Sequence, residues 1–110
     1  MKGEVLDMRE IIKEEYTEIM NKDEGCIFIH SPFCGTCHLA RKMLEAIEVV
    51  WDKVIVYEMN APYFPDFLQQ HKIKSVPCLL IIKEGEIQET IYAFHSVPFL
   101  HNRLSEVFTA

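Results

Sequence analysis

Positive charge is scarce in this chain of 110 residues: Lys and Arg total 11 against 17 Asp and Glu, a formal net charge of −6. Acidic residues gather at Glu10, Glu14, Glu15 and Glu18, and no basic stripe offsets them. Phosphate backbones and anionic membranes are therefore not expected as partners. Long apolar runs are also missing. No stretch approaches the ~20 residues that span a bilayer, and Met1-Lys2-Gly3-Glu4 leads into charged sequence rather than an apolar signal region. Internal repeats and low-complexity tracts are absent, and the length suits one domain, 1–110, with one core. These absences predict a protein of the cytoplasm. Cysteine numbers only four, which in a reducing compartment is not a disulfide framework. A Cys-x-x-Cys pair there is catalytic or metal-binding before it is structural.

That pair lies in Ser31-Pro32-Phe33-Cys34-Gly35-Thr36-Cys37-His38. Before it, Cys26 to His30 reads as a strand with almost no polar alternation, hence buried on both faces in mid-sheet. After it, Ala40, Met43, Leu44 and Ile47 recur at helical spacing as far as Val50, with Arg41, Lys42, Glu45 and Glu48 on the outer side. The cysteines thus fall where a strand hands over to a helix. At a helix start the backbone N–H groups lack partners and the macrodipole is positive, so a thiolate is stabilised relative to its thiol. Cys34, leading the pair, gains most. Cys37 lies about one turn on, within disulfide reach. Such a pair can carry out dithiol–disulfide exchange, the first sulfur forming a mixed disulfide and the second resolving it.

Along the rest of the chain, Val5, Met8, Ile12, Tyr16 and Ile19 predict an amphipathic helix from Val5 to Met20. Val54 to Tyr57 is the second strand, expected parallel to the first through a right-handed crossover. A Pro-rich loop over 60–65 precedes a short helix, Asp66 to His71. Cys78 to Ile82 and Glu86 to Tyr92 form a hairpin about Glu84-Gly85. Ser96 caps a last helix lined by Val97, Leu100, Leu104 and Phe108. This order predicts an α/β fold, a mixed sheet with helices on both faces.

Several residues carry competing readings. Cys26, on a central strand, is expected as a small buried hydrophobe. Strand alternation sends Cys78 into the core, away from the face to which Pro77 turns; a local failure of parity would put a third thiol beside the pair. His30 ends the strand as a packed or hydrogen-bonded residue, and His38 sits exposed in the first helical turn. His30, His38 and Cys78 are the candidate modulators of the thiols. Tyr63, Phe64 and Phe67 are expected to cover the sheet edge and core. A zinc or iron–sulfur site would need more ligands than Cys34, Cys37, Cys78 and a histidine readily supply. The string Cys34-Gly35-Thr36-Cys37-His38 also matches a c-type haem attachment pattern, which requires export.

Phe33-Cys34-Gly35-Thr36-Cys37 at the strand-to-helix turn, Val76-Pro77 before an apolar strand, and the Lys83-Glu84-Gly85-Glu86 turn together resemble the thioredoxin-like family. The resemblance implies a mixed four-stranded sheet, with or without a short fifth strand at the N-terminus, and helices on both faces. It implies a thiol–disulfide oxidoreductase in which Cys34 is the nucleophile and Cys37 the resolving thiol. Pro77 would be a cis-proline against the disulfide, and the Val76 backbone would pair with an extended client. Phe33, Gly35 and Thr36 would complete the client surface. The implied cofactor is none beyond the redox-active Cys34–Cys37 disulfide, with no metal. The implied partners are disulfide-bearing proteins or small thiols and a reductase that donates electrons, acting on a monomer. Phe28 stands where the family's reductases carry a buried aspartate, and Val56 or a neighbour where they carry a lysine. Cys37 is left without an obvious base. Thr36 replaces a proline, and His30 and Phe33 replace two tryptophans. The alternative is a thioredoxin-fold binding module of low turnover, or a metal or iron–sulfur protein using Cys34, Cys37 and Cys78.

Overall fold

A computed structural model of the chain describes residues 9–11, 20–21, 24–51 and 55–108. In chain order the elements are β1 (Arg9–Glu10), β2 (Glu24–His30), α1 (Gly35–Val50), β3 (Val56–Asn60), a 3₁₀ turn (Ala61–Tyr63), α2 (Pro65–Gln70), β4 (Cys78–Lys83), β5 (Glu86–Ile91) and α3 (Val97–Phe108). The strands form one sheet in the order β1-β3-β2-β4-β5. β3 runs parallel to β1 and β2, and β4 antiparallel to β2 and β5.

β2 is central, and its lack of polar alternation has the expected cause: both of its faces are covered. Cys26 and Phe28 face the cluster built with Ala40, Leu44 and Ile47 of α1 and Leu100 and Leu104 of α3. Ile27 and Ile29 face the other cluster, with Ala61, Phe64 and Phe67. β4 alternates in the same way, Leu79 and Ile81 toward the first cluster and Cys78, Leu80 and Ile82 toward the second. Full burial of side chains such as Leu44 and Leu80 contributes roughly 1.5–3 kcal/mol each. Ser96 does cap α3, its Oγ accepting from the Phe99 N–H at 3.2 Å.

Four expectations are corrected. The helix placed over Val5 to Met20 lies largely outside the described residues, but Arg9–Glu10 within it is the short fifth strand. Pairing with β3 overrides the helical spacing there: the Ile11 N–H donates to the Glu58 carbonyl at 2.8 Å and the Ile11 side chain is buried. The second strand starts at Val56 and runs to Asn60, and Val54 lies outside the described residues. Tyr63 is 65% exposed, so only Phe64 and Phe67 of that aromatic group enter the core. Arg41, assigned to the solvent face of its helix, instead turns toward β3 and binds Glu58.

Among the described residues, no helix is long and apolar enough to cross a membrane.

Candidate active site

β2 ends at His30, and a turn carries the chain into α1. The Cys34 N–H donates to the Ser31 carbonyl at 3.2 Å, and the Phe33 N–H to Ser31 Oγ at 3.3 Å. Cys34 is the N-cap of α1, and no acidic side chain stands in the first turn of that helix. Its thiol therefore meets the positive helix end without a carboxylate to oppose it. Cys34 and Cys37 are joined as a disulfide, their Cα atoms 5.3 Å apart. Cys34 is half-buried, whereas Cys37 is only 5% exposed. One sulfur faces outward and the other lies under it, as attack followed by resolution requires. Thr36 Oγ1 lies 3.5 Å from Cys34 Sγ.

The remaining sequence-derived residues divide around this pair. Phe33 is 92% exposed, a large apolar side chain next to Cys34. Gly35 and Thr36 are exposed, and a Cβ added at Gly35 would meet open space. The Val76–Pro77 bond is cis. Ile29 pairs with Cys78, so continuing that register brings Pro77 level with His30, at the end of β2 that feeds the cysteine turn. His38 is exposed. Cys78 is fully buried in the second cluster, on the opposite face of the sheet from Cys37. Burial pushes its thiol up to about 12, and burial together with the Glu48 charge raises that of Cys26 as well. Both buried thiols stay protonated and unreactive at neutral pH.

Sequence reasoning missed Glu58. It pairs in register with Phe28 on the neighbouring strand and, by alternation with Val56 and Met59, projects to the face that carries α1. There Arg41 binds its Oε1, and His30 Nε2 lies 3.0 Å from the same oxygen. That His30 nitrogen is shielded from solvent, with the Glu58 carboxylate as the polar group it faces. The available signal was one acid inside the apolar run Val56-Tyr57-Glu58-Met59. A polar residue on a covered strand face needs a partner.

Burial alone would raise the Glu58 carboxyl, but His30 and Arg41 outweigh it and hold the pKa down, from 4.5 to about 2. A carboxylate depressed on folding stabilises the protein fully above its unfolded pKa and loses that contribution as pH falls through the folded one. Wild-type stability should thus fall more steeply than that of Glu58→Gln between about pH 4.5 and pH 2. Urea unfolding midpoints measured at intervals across that window check this, and parallel curves for the two proteins would count against the ion cluster.

An open cleft of about 190 Å³ runs beside the disulfide, lined by Phe28, His30, Ser31, Cys34, Cys37 and Arg41 among others. Among the described residues, no three His, Cys, Asp or Glu side chains converge as metal ligands.

Comparison with known proteins agrees with this geometry. The family model described as thioredoxin matches residues 7–104. The thioredoxin-like protein YusE of Bacillus subtilis (strain 168) is 38% identical over 99 residues, covering 90% of this chain and 92% of that protein. Thioredoxin 1 of Synechococcus elongatus is 31% identical over 77 residues, covering 69% of this chain and 72% of that one. Among solved structures, thioredoxin from Trypanosoma brucei brucei superposes with a TM-score of 0.85 over 100% of this chain and 98% of its own, at 15% identity. Mitochondrial thioredoxin 3 from Saccharomyces cerevisiae gives 0.81 over 94% and 98%, at 13% identity, and likenesses this remote speak for the fold. The matched span takes in the sheet, the cysteine turn and most of the last helix, and by it the chain belongs to the thioredoxin family.

Proposed function

We propose that this protein is a thiol–disulfide oxidoreductase that exchanges the Cys34/Cys37 dithiol with disulfides of proteins or small thiols. One observation carries the reading: a disulfide whose outer cysteine stands at the N-cap position of a helix while its inner cysteine is buried. In the reducing direction the Cys34 thiolate attacks a client sulfur, the client S–S bond breaks, and the departing client thiolate takes a proton. The Cys37 thiol then loses its proton and attacks Cys34 Sγ. That step releases the second client thiolate, which is protonated in turn, and closes the Cys34–Cys37 bond. Two electrons pass from the dithiol to the client, and an external reductase must return them.

Phe33 and the Val76-Pro77 backbone would receive the client, the ring through apolar contact and the backbone through strand addition. The site needs no cofactor beyond its own disulfide, and the dithiol form belongs in a reducing compartment such as the cytoplasm. The metal-binding alternative loses Cys78 as a ligand, because its thiol is on the far face of the sheet. The test is reduction of a protein disulfide with a small dithiol as donor. The protein should accelerate the reaction by about tenfold or more over donor alone, and a rate equal to the donor's would remove the proposal.

A further inference from the structure

The exchange proposed above asks something particular of Cys37. Cys37 is only 5% exposed, so bulk water has little access to the proton that must leave before it can attack. Desolvation opposes ionisation of a thiol, and the helix end favours Cys34 ahead of it. A neighbouring acceptor is required, and the cleft beside the disulfide limits the choice.

Four titratable or charged groups stand around that cleft: His30 at the end of β2, His38 and Arg41 on α1, and Glu58 on β3, in contact with two of them. Arg41 has no lone pair to offer. Glu58, held down to about 2 and engaged by Arg41 and His30, is too weak a base at neutral pH. His38 is exposed to solvent. His30 is different in kind. Its ring stacks on Phe28, centroids 5.4 Å apart, and its Nε2 is turned to the Glu58 carboxylate. A ring nitrogen facing a carboxylate carries the proton, which leaves the lone pair on Nδ1.

We propose that His30, oriented by Glu58, accepts the Cys37 proton in the resolving step, directly or across one water in the cleft that both side chains line. Glu58 is then a positioning residue: it fixes the tautomer and compensates the imidazolium that forms, while Arg41 keeps it ionised. The proton passes from Cys37 Sγ to His30 as the sulfur attacks Cys34, and leaves for the departing client thiolate or solvent. No oxidant beyond the client disulfide is consumed. The inference rests on the exchange reading and adds the group that moves its proton.

An aromatic disulfide that releases a coloured thiolate separates the two steps. Mixed with reduced protein, it gives one equivalent when Cys34 attacks and a second when Cys37 resolves. His30→Phe should leave the first phase within about twofold and slow the second at neutral pH by on the order of 10–100-fold. The pH profile of the second phase should lose a limb that the wild type shows, and Glu58→Gln should slow that phase by a smaller factor. The unchanged first phase doubles as the check that His30→Phe is folded; should it fail, His30→Gln replaces it with the same expectation. A second phase unmoved in rate and pH profile by the His30 change would overturn the proposal, as would the same loss from His38→Gln alone. Were the wild type to show no fast first phase, the exchange reading itself would fall, which is a different result.

Discussion

Cys34→Ser should reduce no disulfide faster than the donor alone; with the donor's own rate subtracted, the loss is on the order of 10³-fold or more, the scale on which removal of a covalent nucleophile acts. The reason lies in where the two sulfurs sit. Cys34 is the N-cap of α1, half-open to solvent, at the positive end of the helix and with no first-turn acid. Cys37 is covered by the helix and the sheet and can reach only Cys34. It cannot take over as the attacking thiol. Cys26 and Cys78 are no substitute either, being fully buried with their thiols held protonated. Cys37→Ser, by contrast, keeps the nucleophile and removes the step that frees it, so the protein should stall as a mixed disulfide. Steady-state turnover of the two variants under one donor concentration checks the first part. Retention of more than about a tenth of wild-type turnover by Cys34→Ser would place the chemistry elsewhere.

Phe28→Asp, which would install the acid that the family's reductases carry at this point, is expected to cost about 4 kcal/mol or more in unfolding free energy. Phe28 is fully buried, with the His30 ring stacked against it, Phe94 edge-on at 6.1 Å and the Arg41 guanidinium over its face at 5.6 Å. Truncating such a ring in a core forfeits roughly 3–5 kcal/mol. The new carboxyl would also stand beside Glu58, its in-register neighbour on β3, so two acids would compete for one arginine and one histidine. Urea unfolding monitored by circular dichroism gives the value. A loss under about 1 kcal/mol would mean that the pocket under the disulfide tolerates an acid after all, and that Phe28 is not what shifted the polar work onto Glu58 and His30.

The parts of the fold that were readable are those in which pattern and environment agree. β2 and β4 announce themselves by runs that leave no polar face, because both faces are covered, and the cysteine turn by the switch from that run to helical spacing. β1 was not readable. Two residues carry no periodicity, and what makes Arg9–Glu10 a strand is a partner almost fifty residues away, Tyr57 and Glu58. The polar cluster was hidden for a similar reason. Arg41 has the spacing of a solvent-facing residue on its helix, and Glu58 looks like an interruption of its strand. Only the placement of α1 over the β2–β3 pair brings them together. The sequence singles out His30 and the cysteines one by one as candidates, but the shared Glu58 oxygen is a fact of tertiary structure.

Incubate reduced Cys37→Ser with a disulfide-bonded protein and weigh the product. One client half should be attached, released by added dithiol, with peptide mapping placing the bond on Cys34. An unmodified mass, or a client bound through Cys26 or Cys78, would contradict the assignment of Cys34 as the sulfur that attacks.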